Sequence, residues 1–296
     1  MEAVRRHPVP AFFLLTYAIT WSLYAIIIAL RIRVDSVAAA PLLVLAVSGP
    51  TVAAIVLTGV GWGRRDLAAL LRRAVRWRVH IGWYVAVLSF WALGLGLIWT
   101  AAEIIGLKLR PIEDPPVSAF PVLFLIILLI GGPLQEEFGW RGFALPRLQK
   151  GRTALRASII VGVFWGAWHI PLFWVAGTWH ADLVAGRSLM VTMFFVAFFV
   201  LSTVPLSIVY AWVYNGTGSL LLTILLHAAM NTTDTWAPWP ADQRGAMSWA
   251  GLHFAYMLLA AFIVVAIGGA ARLTRFREPD AVIGAPPSAV HGVVGP

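Results

Sequence analysis

Two adjacent carboxylates and a guanidinium, Glu136, Glu137 and Arg141, stand at the end of a long apolar stretch. An ionised side chain at the centre of a bilayer costs about 3 to 15 kcal/mol, so acid at that depth marks a functional site or a tight pair. On a helix, residues four apart share a face, whereas neighbours diverge by about 100°. Glu137 and Arg141 are therefore expected to pair, leaving Glu136 free to face a cavity. Gly131, Gly132 and Pro133 just upstream suit a helix that bends around such a cavity. Two further polar sites stand in apolar runs: His169, one turn after Trp165, and His227, with Asn231 one turn beyond it. A carboxylate beside a neutral imidazole can deprotonate water, and nearby donors can stabilise the oxyanion formed when that water attacks a carbonyl. The chemistry expected is amide hydrolysis, with Glu136 and His169 activating water and His227 and Asn231 bonding the tetrahedral intermediate. Glu136, His169 and His227 are equally the donor types of a zinc centre with one position open for water. Spacing does not choose between these, because the three residues come from three separate segments.

The elements that must position these groups follow from composition. Hydrophobic residues make up 60% and charged residues 12% of the 296 positions, more apolar surface than one water-soluble core absorbs. Nearly uncharged runs fall at roughly 11–30, 37–61, 81–106, 117–135, 155–176, 189–213, 218–231 and 251–271. The expected fold is an all-α, polytopic membrane protein of about eight transmembrane helices, the seventh the shortest. The first run follows Arg5 and Arg6, but its length and lack of a small-residue cleavage site mark a retained helix instead of a signal peptide. Counting about 1.5 Å per residue from the inner boundaries puts Glu136, His169 and His227 at roughly 17, 21 and 14 Å in a core about 30 Å thick. They share one level near the midplane.

A net charge of +9 invites a nucleic-acid reading, but the basic residues are scattered over short loops. With the N-terminus inside, 16 of the 22 Lys and Arg face inward, which predicts both termini in the cytoplasm and an inner (plasma) membrane location. Arg64 to Arg78 reads as a basic amphipathic helix on the inner leaflet or a plain positive loop. There is no cysteine, hence neither a disulfide nor a thiolate metal site. Residues 1–277 are read as one transmembrane domain with a motif-bearing core at about 117–235. Residues 278–296, rich in Gly, Pro, Ala and Val without helical periodicity, are read as a disordered tail. The Pro-rich loop 107–116 with Glu113 and Asp114, together with His180 and Asp182, is expected to be outer and solvated, and Glu103 interfacial.

Glu136-Glu137-x-x-x-Arg141, Trp165-x-x-x-His169 and His227-x-x-x-Asn231, in that order, resemble the three motifs of the CAAX prenyl endopeptidase and bacteriocin-processing family of intramembrane proteases. The resemblance implies a CAAX-protease-like helical bundle that cleaves a peptide bond near a membrane-associated segment, with Glu136 as the water-activating residue. It also implies an enzyme often labelled a metalloprotease, though a glutamate-dependent mechanism without metal is argued for relatives. Trp165 departs from the pattern, which usually carries Phe there, so pocket width is where this chain is expected to differ. The partners implied are a peptide or protein substrate at the membrane, prenylated or leader-type, and the bilayer itself. Two other classes fit buried Glu, His and Arg: an ion or proton-coupled transporter, favoured by paired broken helices, and a non-catalytic scaffold or immunity protein.

Overall fold

A computed structural model of the chain describes residues 2–36, 38–109, 115–238, 240 and 242–275. The expected tail at 278–296 and the Glu113–Asp114 pair lie outside the described residues. The chain begins with helix α1 (Glu2–Arg6), α2 (Pro8–Ala29), α3 (Ala40–Val47), α4 (Gly49–Trp62), α5 (Arg64–Ala74) and α6 (Ile81–Ile104). There follow α7 (Phe120–Ile130), α8 (Pro133–Gly139) and a π-helical turn (Trp140–Ala144), which runs into α9 (Leu145–Leu148). The last helices are α10 (Ala154–Trp168), α11 (Trp179–Val184), α12 (Leu189–Thr217), α13 (Leu220–Asp234) and α14 (Gln243–Gly268), and no strand occurs among the described residues.

The architecture is the all-α membrane bundle expected, with a correction to the count of crossings. Five helices are long and apolar enough to cross, and up to seven if each bent pair is one span. The bends are 48° between α3 and α4 and 43° between the α7 and α8 segments. Both follow from local chemistry. Ser48, Gly49 and Pro50 interrupt one run, and Gly131, Gly132 (φ 108°) and Pro133 the other, and proline removes a helix hydrogen bond while glycine adopts the positive φ. The first break went unforeseen because it carries no charge. The short seventh run, α13, is 15 residues, about 22 Å of rise against a core of about 30 Å. It has buried residues all around its axis, among them Leu222, Thr223, Ile224 and His227, so neighbouring helices enclose it.

Close backbone approach brings the site helices together. A Cβ on Gly162 would sit 2.7 Å from Val204 Cα and one on Gly166 2.8 Å from Val200 Cα, so two glycines one turn apart let α10 lie directly on α12. Thr203 Oγ1 donates to Gly162 O at 2.9 Å across that seam. On the other side, Tyr17 and Trp21 of α2 donate to the carbonyls of Phe164 and Trp168 at 2.6 and 3.1 Å. α4 abuts α8 where Pro50 fits against Gly139 and Thr51 Oγ1 donates to Leu134 O at 3.3 Å. The basic segment 64–74 forms the helix α5, tucking Leu70 inward and leaving Arg64, Arg65, Arg72 and Arg73 at its surface or partly covered.

Candidate active site

α8 begins at the Gly131–Gly132 break, and the break is stitched by Gln135. Its Oε1 accepts from Gly132 N at 3.2 Å and its Nε2 donates to Leu129 O at 2.6 Å, recovering part of the hydrogen bonding lost at the bend. This aims two successive carboxylates into the protein, with Glu136 4% and Glu137 0% exposed.

Glu137 makes its bonds through one oxygen, Oε2 having no hydrogen-bond partner. Its Oε1 accepts from Arg141 Nη1 at 2.9 Å, the pair expected from their spacing, and from His227 Nδ1 at 2.9 Å. The rest of the guanidinium lies over aromatic faces, 4.1 Å from the Trp165 ring centroid and 4.2 Å from that of Tyr210. Those contacts offset part of the cost of burying a cation whose Nε and Nη2 find no acceptor. The π-helical turn matters here, because it begins one residue before Arg141 and lies immediately beyond the carboxylates.

Glu136 has a different set of neighbours. Its Oε2 accepts from the Trp165 indole Nε1–H at 2.6 Å. Trp165 is thus a polar partner of the first carboxylate as well as a wall of the site, which a phenylalanine in its place would not be. His227 spends its Nδ1 on Glu137, so the direct carboxylate–imidazole pair joins the second acid and not the first.

His169 ends α10, where Pro171 prevents the helix from continuing. Its Nδ1 lies 2.8 Å from Trp165 O. A carbonyl only accepts, so Nδ1 carries the proton and the neutral ring keeps its lone pair on Nε2. The same reasoning applies to His227 against the Glu137 carboxylate. Both imidazoles are buried, at 9% and 2% exposure, with Nε2 the nitrogen left for chemistry. His227 therefore donates to an oxyanion only as an imidazolium, a restriction the spacing had not shown. Asn231 is half-buried and its Nδ2 donates to Gly131 O at 3.2 Å, tying α13 to the break, with one N–H remaining.

Among the described residues no three His, Asp or Glu side chains are gathered into a metal-binding group; Glu136, His169 and His227 are the residues that would hold a zinc ion. His180 also departs from expectation. Read as a solvated loop residue, it is 6% exposed and stacked 6.0 Å from the His169 ring. Asp182 is exposed, as is Glu103, which accepts from Trp99 Nε1 at 3.2 Å. Of the residues missed, Gln135 had a visible signal, a side chain three positions after the Gly132 that starts a helix. Tyr210 and His180 had none, being brought in only by packing.

Residues 118–233 match the family described as type II CAAX prenyl endopeptidase Rce1-like. CAAX prenyl protease 2 of Methanococcus maripaludis is 33% identical over 112 residues, which is 38% of this chain and 38% of that protein. The chain thus covers little more than a third of that relative's length. Glu136, Glu137, Arg141, Trp165, His169, His227 and Asn231 all fall inside the matched segment. Over residues 118–233 the chain is similar to the Rce1-like type II CAAX prenyl endopeptidases, and its long apolar helices are those of an integral, multi-pass membrane protein.

Proposed function

We propose that the protein is an intramembrane endopeptidase that hydrolyses a peptide bond of a prenylated CAAX-type or leader-type substrate at the membrane. The observation that carries this reading is the division of the two acids: Glu137 neutralised by Arg141 and bonded to His227, Glu136 held by a single indole N–H. Glu136 and the Nε2 of neutral His169 are both acceptors. A water donating one hydrogen to each turns an oxygen lone pair toward the scissile carbonyl. As that oxygen attacks, its proton passes to Glu136. The oxyanion takes hydrogen bonds from the remaining Asn231 N–H and from His227 in its protonated form, which the Glu137 carboxylate stabilises. When the C–N bond breaks, the proton on Glu136 passes to the leaving amine. Each of these steps is carried by the chain's own residues, in the glutamate-dependent form of the reaction. The partners are the peptide or protein substrate and the lipid bilayer, without nucleic acid. The arginine distribution supports an inner-membrane location with the basic loops on the cytoplasmic side.

The test is hydrolysis by the purified protein in lipid nanodiscs of a farnesylated CAAX peptide, read by mass spectrometry in H2 18O. Incorporation of one 18O into the new carboxylate is expected, and a second arm uses a leader-type peptide. Failure to cut either peptide contradicts the reading.

Two broken helices, α3–α4 and α7–α8, favour a transporter as the second reading. The first break has no ionisable residue from Ala40 to Trp62, so it offers no charge to carry. Proton or ion flux in proteoliposomes, lost on Glu136→Gln, would establish transport instead.

A further inference from the structure

His180 lies outside the three motifs, yet its ring packs beside that of His169. It is carried by the six-residue helix α11, capped by Thr178, whose Oγ1 accepts from Ala181 N at 3.2 Å. Aromatic rings enclose it. Trp179 stacks at 4.0 Å, Phe173 and Phe199 present edges at 5.2 and 5.0 Å, and His169 completes the group at 6.0 Å between centroids. Both ring nitrogens are buried without a hydrogen-bond partner. An imidazole whose donor and acceptor are both withheld from water and protein is costly, and a phenyl ring would fill the same box without that cost.

Such a group makes physical sense where a ligand supplies the missing bonds. A neutral imidazole offers one N–H and one lone pair, the complement of a peptide unit's C=O and N–H. Reaching the nitrogens requires α11 to move, and its trailing flank is open enough to permit this, while the leading one packs against Val34 and Asp35. Gly177 (φ 89°) precedes it and Gly186 (φ 68°) follows it, the latter with nothing within 4 Å of a Cβ position. The leading flank is tethered by Val34 N donating to Ala176 O at 2.9 Å, so the motion is a pivot at that end. Trp179, which stacks on His180, is itself 51% exposed.

We propose that His180 is a substrate-binding residue of the active site, delivered by a pivot of α11 to hydrogen-bond the peptide backbone beside the bond that His169 and Glu136 attack. This rests on the endopeptidase reading, and its test separates the two. Binding of a fluorescent farnesylated CAAX peptide is measured in nanodiscs in the Glu136→Gln background, where no cleavage is needed. Adding His180→Phe should weaken binding about tenfold or more, while adding His180→Gln, which keeps a donor and an acceptor, should stay within about threefold. His180→Phe should also raise the unfolding midpoint by about 2–4 °C, since it removes two unsatisfied buried atoms. Unchanged binding in His180→Phe, or equal loss in both variants, overturns the assignment. If the Glu136→Gln protein does not bind the peptide at all, the substrate reading falls and this inference with it.

Discussion

The two walls of the site differ in how their polar groups are paired: one pairs charge with charge, the other carries imidazoles without a charged partner. On the α8–α13 wall, Glu137 is paired with both Arg141 and His227 by bonds of 2.9 Å, and the guanidinium is laid over two aromatic rings, although Glu137 Oε2 and Arg141 Nε and Nη2 have no hydrogen-bond partner. On the α10–α11 wall, His169 has one bond to a backbone carbonyl and His180 has none. Glu136 lies between them, held by Trp165 alone. The first wall is a frame, whose value is rigidity and a fixed charge balance. The second is a receiving surface whose unsatisfied groups await water and peptide. A protein that buries charge in a bilayer stabilises it by pairing, so the places where pairing is incomplete are where function is expressed.

Mutations should separate the walls by readout. The largest effect belongs to the frame. Glu137→Ala strands the Arg141 cation with 0% exposure and should cost about 3–5 kcal/mol of stability, seen as a lowered thermal unfolding midpoint in detergent. An unchanged midpoint would mean that the pair does not carry the structure. On the receiving wall, His169→Ala should cut the cleavage rate about 10²- to 10³-fold with little change in that midpoint. A fall in stability matching that of Glu137→Ala would erase the contrast.

Trp165 belongs to both walls and gives a smaller, sharper test. Trp165→Phe keeps a ring over Arg141 but removes the donor to Glu136, and hydrogen bonds to charged groups are worth about 1.5–3 kcal/mol. A rate decrease of roughly 10- to 100-fold, in kcat more than in KM, is expected. Full activity would show that the indole N–H is incidental. The smallest effect is that of Asn231→Ala, where one 3.2 Å bond to Gly131 and one oxyanion donor are lost. About a fivefold fall in kcat, within what a single modest hydrogen bond is worth, is the expected outcome.

Local spacing made some of this legible and packing concealed the rest. The Glu137–Arg141 pair follows from a four-residue separation on one helix, which any helical reading exposes. The apolar runs mark the helices because lipid demands them. The partner of His227 did not follow, since it lies 90 positions away and two adjacent acids compete for it. The Trp165 bond spans 29 positions and depends on which way an indole turns. The bend at Ser48, Gly49 and Pro50 is hidden by the continuing apolar sequence around it, and the enclosure of α13 by its neighbours leaves no mark on hydropathy. His180 sits among Gly177, Thr178 and Asp182, a composition that reads as loop, and only its three-dimensional neighbours reveal its burial.

The division between the two adjacent acids is the central claim, and one paired comparison tests it. Wild type, Glu136→Gln and Glu137→Gln are reconstituted side by side, and cleavage of the farnesylated peptide is measured together with the unfolding midpoint. The account predicts that Glu136→Gln loses about 10³-fold or more in rate at an unchanged midpoint, whereas Glu137→Gln loses stability along with its activity. Cleavage by Glu136→Gln at the wild-type rate would contradict it.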